Sequence, residues 1–407
     1  MNDFNPEQAL CETRREFGEH GGVTPSISRS ATFTVMDPET MPEIFGGFRG
    51  PEGGCFLYSR HFNPTVDILA RYLAAMDGCE HAVCTASGMS AIACSLLQLC
   101  RNGDHIVSSD TIYGGTHALL EELLPQFGIR TSFVDPTDTT AFEQAITSDT
   151  RVLYTETMGN PTLKIADIQA LSQLAKARNL ALVVDNTFTP AMISPARLGA
   201  DVVVYSLTKY INGASDLVAG AICTTKTMVQ DLMDLHTGRV MLMGPTMDPR
   251  MAYDIIQRLP HLTIRMREHS RRAMAVCSRL ADMGVAVTYP GLASFEQHDL
   301  AGRMINAGYG YGGMFTIDCR TRDRADKLLD ELQNKEDFGY IAVSLGYFDT
   351  LMSCSGATTS SEISQEDQQK IGLSPGLVRL SMGYTGSLEK RIEQISRAVT
   401  AVGLVSD

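Results

Sequence analysis

Beyond residue 64 the chain alternates between two hydrophobic rhythms. Residues 65–76 place Val66, Leu69, Ala70, Leu73 and Ala74 at helical spacing. Short apolar runs then recur at 81–85, 105–108, 130–134, 152–155, 181–184, 202–205 and 217–224, each the length of a strand. Helical patterns separate most of them, at 89–99, 116–125, 165–178 and 228–236. Strands alternating with helices predict an α/β fold whose large domain has a mainly parallel, seven-stranded sheet between helices. Residues 248–284 predict a long helix interrupted near Pro260. Strand patterns at 285–289, 313–317 and 378–382, with helices at 324–333 and 388–402, predict a smaller α+β domain at the C-terminal end. The first sixty residues keep no such rhythm. Gly21-Gly22, Pro25, Pro38 and the stretch from Pro51 to Gly54 punctuate them, so they are expected to be irregular.

Length fits this division, since 407 residues exceed one ordinary domain. The formal net charge of −13 argues against a nucleic-acid partner, which needs a basic face. It leaves room for a small anion held locally by amides and hydroxyls. Ten cysteines form no C-x-x-C pair, and many sit in apolar runs, so reduced, buried thiols are expected. The nine histidines lack metal-ligand spacing, so no metal is expected. Residues 1–9 are polar, and no apolar run has the length of a membrane span. Together these features predict a cytoplasmic protein.

In open α/β sheets, ligands sit beyond the carboxyl ends of the strands. After the strand at 81–85 comes Ala86-Ser87-Gly88-Met89-Ser90 and then a helix, an arrangement that exposes amides to a phosphate. The chain has no G-x-G-x-x-G at this turn and no G-K-[ST], which disfavours a dinucleotide fold or a P-loop. The glycines of residues 308–313 precede a strand and are read as a loop. After 181–184 comes Asp185, either a local cap or a carboxylate aimed at a cationic ring nitrogen. After 202–205 comes Ser206-Leu207-Thr208-Lys209-Tyr210. A lone lysine is commonly a solvated one. A desolvated one has a lowered pKa and can act as nucleophile or form an imine. A phosphate site, an acid for a pyridinium and an imine lysine are together the parts that one aldehyde cofactor uses.

The run from Ser206 to Tyr210, with Asn212-Gly213, Ser215-Asp216 and Ala219-Gly220, resembles the lysine signature of the Cys/Met-metabolism enzymes dependent on pyridoxal 5'-phosphate (PLP). That family includes cystathionine γ-synthase, the cystathionine lyases, O-acetylhomoserine sulfhydrylase and methionine γ-lyase. Within it, four segments are most similar to the plant-type methionine γ-lyases. They are residues 16–22, residues 58–65, Gly244-Pro245-Thr246-Met247 and residues 351–356, joined by Pro375-Gly376-Leu377-Val378-Arg379.

The resemblance implies fold type I, with residues 1–62 as an arm serving a neighbouring subunit, 63–257 as the PLP-binding domain and 258–407 as the small domain. It implies Lys209 as the Schiff-base lysine and general base for the Cα proton. Asp185 would pair with the pyridinium nitrogen, and Tyr113 would stack on the ring and protonate the leaving sulfur. Gly88, Met89, Ser206 and Thr208 would hold the phosphate, with Tyr58 and Arg60 reaching it from a neighbouring subunit. Thr187 and Glu156 would line the pocket. Asn160 would contact the ring hydroxyl or the substrate carboxylate, and Arg379 with Ser344 would clamp that carboxylate. Tyr58 as a core aromatic, Glu156 as a cap and Arg60 as a surface charge are the plain alternatives.

An enzyme of at least two subunits, commonly four, would then act on L-methionine or a related γ-substituted amino acid. It would release 2-oxobutanoate, ammonia and methanethiol. Gly115, Ala214 and the Val240-Met241 pair stand where other members carry cysteine, histidine and a Lys-Asp pair. A cystathionine γ-lyase, a lyase for canavanine, an O-acetylhomoserine sulfhydrylase and a non-enzymatic sensor are therefore the alternatives.

Overall fold

The computed structural model describes residues 4–355 and 373–405; Gly356, the last residue of one matched segment, lies outside them. Seven strands form the larger sheet: β1 (His81–Thr85), β2 (His105–Ser109), β3 (Arg130–Val134), β4 (Thr150–Glu156), β5 (Ala181–Asp185), β6 (Val202–Ser206) and β7 (Gly220–Thr224). Their order is β1-β7-β6-β5-β4-β2-β3. The ladders from β6 across to β3 are parallel, whereas β7 runs antiparallel to both β1 and β6. Successive strand residues enter opposite cores, as the two-residue period requires. Val203 and Tyr205 of β6 join one hydrophobic cluster with Leu153, Leu182 and Val184. Val202 and Val204 join the other, with Ile106, Val152 and Val183. Burying one such large apolar side chain contributes about 1.5–3 kcal/mol.

The helices start where the sequence supplies caps. Asn63 Oδ1 accepts from the amides of Thr65 and Val66, at 3.0 and 3.4 Å, ahead of the Pro64–Asp77 helix. Ser87 and Ser90 form a reciprocal capping box at the start of the Gly88–Leu99 helix.

The smaller sheet has the order β10-β11-β12-β9-β8. Its strands are β8 (Val287–Thr288), β9 (Met314–Asp318), β10 (Gly339–Ile341), β11 (Thr350–Cys354) and β12 (Leu377–Ser381). Its core includes Phe315, Phe338, Val378 and Ile395. The helix Pro249–Asp282 serves both domains: Ile255, Leu259 and Met266 pack in the first core, and Ala273, Val276 and Leu280 in that of the smaller sheet.

Several expectations need correction. The Pro249–Asp282 helix runs unbroken through Pro260. Proline removes one amide donor there, but Leu259, Leu262 and Thr263 are buried around it, and that packing holds the helix together. The helix expected at 116–125 is a short one, Gly114–Ala118, followed by a wider turn at Leu119–Leu123 and a tighter one at Leu124–Phe127. The first sixty residues contain the short helices Pro6–Thr13 and Thr40–Phe45. Strands β10 and β11 have no counterpart among the expected elements.

Candidate active site

A cavity of about 280 Å³ opens at the carboxyl ends of β4, β5 and β6. Most of the residues singled out above line it: Gly88, Met89, Tyr113, Glu156, Asn160, Asp185, Thr187, Ser206, Thr208, Lys209 and Arg379.

One end is built for an anion. The Gly88–Leu99 helix points its first amides at the cavity, beside Ser206. The helix can come this close because residue 88 has no side chain: a Cβ there would lie 2.7 Å from the Cβ of Ser206. Thr208 Oγ1 is already engaged, accepting from the Ala219 amide at 3.0 Å.

Asp185 is buried on the cavity floor. One of its oxygens accepts from the Thr187 amide at 2.9 Å, and Thr187 Oγ1 accepts from the Ser206 amide at 2.9 Å. Burial lifts the Asp185 pKa to about 6. Among the described residues no cationic side chain stands within ion-pair distance of it. Glu156 lies directly beside it in the β4–β5 register. Burial, and then the charge of Asp185, push the Glu156 carboxyl well above the usual range. The pair therefore favours a neutral Glu156 and a single charge on Asp185. Glu156 also ties two loops together, accepting from the amides of Tyr113 at 2.7 Å and Asn160 at 3.2 Å.

Lys209 projects from the end of β6 and donates from Nζ to Ser344 Oγ at 3.0 Å. Burial, with a smaller contribution from the charge of Arg379, lowers its pKa to about 8. Arg379 comes from β12 of the smaller sheet, yet its side chain reaches into the large-domain cavity. It donates to Asn160 Oδ1 at 2.8 Å and to the Ser344 carbonyl at 3.4 Å. Burial draws its pKa down to about 10. The Tyr113 ring is 42% exposed at the cavity and leans over Gly115, where a Cβ would sit 2.5 Å from it.

Tyr58 and Arg60 stand apart from the cavity of their own chain. Tyr58 is 47% exposed, and Arg60 Nη1 donates to the Met241 carbonyl at 2.9 Å. Conversely, Ile92, Met158, Phe188, Val218, Val343 and Leu345 line the cavity without having been singled out. Two signals point to some of them. Ile92 lies one helical turn beyond Gly88, and Val343 and Leu345 flank Ser344.

The family model described as Cys/Met metabolism PLP-dependent enzyme matches residues 8–398. The chain belongs to this family. A methionine γ-lyase of Arabidopsis thaliana is 52% identical over 97% of this chain and 90% of its own length. An L-methionine γ-lyase of Fusobacterium nucleatum subsp. polymorphum is 36% identical over 92% of this chain and 95% of its own. A crystal structure of an O-acetylhomoserine (thiol)-lyase from Campylobacter jejuni superposes with a TM-score of 0.88, at 26% identity, over 98% of this chain and all of that one. That protein carries a pyridoxyl-lysine 5'-monophosphate.

As a member of the Cys/Met-metabolism family, the chain is a PLP-dependent enzyme of fold type I. The cavity suits that cofactor on its own chemistry. It offers a helix N-terminus for a phosphate, a buried acid with no cation of its own for a pyridinium, and an amine of lowered pKa for an aldehyde. No helix among the described residues is long and apolar enough to cross a membrane.

Proposed function

We propose that this enzyme is an L-methionine γ-lyase, converting L-methionine and water to 2-oxobutanoate, ammonia and methanethiol. The observation that carries the reading is the contrast between the walls of one cavity. Arg379 marks a carboxylate end and Lys209 is committed to the cofactor, while Met158, Phe188, Val218, Val343 and Leu345 offer apolar surface, with no third cation among the described residues that line the cavity. Such surface suits a thioether methyl and leaves the distal charges of cystathionine unpaired. The 52% identity to the Arabidopsis methionine γ-lyase supports the same substrate.

The bound cofactor supplies an aldehyde for the substrate amine and a cationic ring that draws electrons from Cα. Lys209 would hold the cofactor's aldehyde, and its Nζ is placed to take the Cα proton, a task that a pKa near 8 fits. Asp185 would keep the ring nitrogen charged, and Thr187 keeps Asp185 in place. Gly88, Met89, Ser206 and Thr208 would hold the phosphate. Arg379, with Asn160 and Ser344 beside it, holds the substrate carboxylate; its planar fork suits that group. Tyr113, at the cavity wall, would cover the cofactor ring and supply a proton to the departing sulfur.

The exposed Tyr58 and the guanidinium of Arg60 serve the phosphate of a neighbouring copy. Residues 1–62 then act as an arm contributing to the neighbouring subunit's active site, residues 63–257 as the PLP domain and residues 258–407 as the small domain. The active unit is at least a dimer, with a tetramer expected. Ten free cysteines, seven of them buried, support a reducing, cytosolic setting.

The test is product analysis on methionine, cystathionine, homocysteine, canavanine and O-acetylhomoserine, with and without added thiol. Methionine is expected to give 2-oxobutanoate and methanethiol in equal amounts. Keto acid from cystathionine but none from methionine, or thiol incorporation in place of keto acid, would overturn the assignment.

A further inference from the structure

Behind the cavity, the turn that carries Lys209 is held from the far side by one helix. The Gly213 amide donates to the Lys209 carbonyl at 2.8 Å, and the Asn212 amide to the Leu207 carbonyl at 2.9 Å. The next two carbonyls, of Tyr210 and Ile211, both accept from Arg265 of the Pro249–Asp282 helix, at 2.6 and 2.9 Å.

Arg265 is only 9% exposed. Among the described residues it has no ion pair, so its buried charge is answered by backbone carbonyls in place of an acid. Burying a guanidinium in this way is costly, and burial draws its pKa down to about 10. Space for it is left by Gly213, which has φ +73°; a Cβ there would lie 2.3 Å from Arg265 Nη1.

Arg258, seven residues earlier on the same helical face, pairs with Asp216 at 2.7 Å and also reaches Asn212. Gly346 presses on the preceding peptide, between Lys209 and Tyr210. A Cβ on Gly346 would stand 2.5 Å from the Tyr210 nitrogen and 3.0 Å from the Lys209 carbonyl carbon. The turn after Lys209 is thus held by Arg265 at the Tyr210 and Ile211 carbonyls and by the loop that carries Ser344 at the Lys209–Tyr210 peptide.

We infer that Arg265 is a positioning residue for Lys209, fixing the turn so that Nζ meets both Ser344 and the cavity. The inference rests on the reading of Lys209 given above. A lysine at position 265 can serve one of the two carbonyls but cannot span both, because only the guanidinium presents a planar fork.

The experiment compares wild type with Arg265→Lys, Arg265→Gln and Gly213→Ala holoenzymes. The last of these presses a methyl group on the guanidinium without removing its charge. Three readouts are followed: the pH midpoint of the bound cofactor's colour change, kcat against KM, and cofactor content with thermal midpoint. Arg265→Lys is expected to fold and bind cofactor. It should move the colour midpoint by at least about half a pH unit and lower kcat about tenfold, with KM within about twofold. Gly213→Ala should move the colour midpoint as well.

The inference is overturned if the colour midpoint and kcat per bound cofactor stay at wild-type values while only thermal stability falls. It is equally overturned if none of the three variants folds, because Arg265 would then be purely structural. Lys209→Ala separates the two claims. If that variant keeps a borohydride-reducible colour, the reading of Lys209 itself fails, whatever Arg265 does.

Discussion

Lys209 Nζ and Ser344 Oγ meet at 3.0 Å although 135 residues separate them. The bond gives the ammonium form a partner inside a cavity that otherwise disfavours charge. A neutral amine is what captures an aldehyde. Uptake of PLP by the cofactor-free chain should therefore rise about tenfold per pH unit and level off near the lysine's pKa of about 8. A solvated lysine would level off only near 10.5. Ser344→Ala removes an acceptor from the charged form and should move the plateau to lower pH. Stopped-flow absorbance across pH 6–10 checks both; a rate that still rises through pH 10 in the wild type would contradict the buried amine.

Arg379→Lys should separate binding from chemistry. The lysine keeps a positive charge but loses the fork that reaches Asn160 and leaves room for a carboxylate. Losing one charge-assisted hydrogen bond costs about 1.5–3 kcal/mol, or about 10- to 150-fold. The loss is expected mainly in KM for methionine, with the cofactor spectrum unchanged. A fall confined to kcat would remove Arg379 from the carboxylate site.

Asp77 makes a prediction about stability, remote from the chemistry. It is 1% exposed and accepts a hydrogen bond from Tyr205 at 2.8 Å. Burial raises its pKa from 3.8 to about 7, despite the opposing hydrogen bonds from Tyr205 and Cys79. The folded chain thus keeps this proton where the unfolded chain has lost it. The contribution is full below pH 3.8, declines between there and pH 7, and is then flat. Asp77→Asn should cancel this decline. The variant's advantage over wild type grows from pH 4 to 7 and has an upper bound of about 4 kcal/mol. Urea unfolding of both proteins at matched pH measures it; a pH-independent difference would show that Asp77 keeps an ordinary pKa.

Most of the larger sheet was legible because its central strands are buried on both faces, and so they read as apolar runs such as Val202–Val204 of β6; the edge strand β3 is only partly buried. β10 was not, being three residues long and largely exposed. β11 was hidden because Thr350 and Ser353 dilute its apolar pattern. Pro260 misled because local propensity is overridden by tertiary burial. In the site, Asp185 and Lys209 stood out as polar residues ending apolar strands. The meeting of Asn160 with Arg379, 219 residues away, leaves no local trace and needs the fold. Motif resemblance nominated Tyr58 and Arg60, and a single chain keeps them apart from its own cavity. Val343 and Leu345 carried no chemical signal, since an apolar lining residue looks like any core residue.

The place of β7 between β1 and β6 has a consequence during synthesis. β1 borders only β7, so residues 81–85 must wait for 220–224 before any ladder can form on them. A nascent chain paused anywhere between these segments leaves the ribosome-proximal sheet unfinished, with an apolar ribbon unpaired at its margin. Long-range pairing of this kind is slow and aggregation-prone. Recombinant yield should therefore depend on how translation and chaperones handle the 134 residues between Thr85 and Gly220 more than on the stability of the finished enzyme.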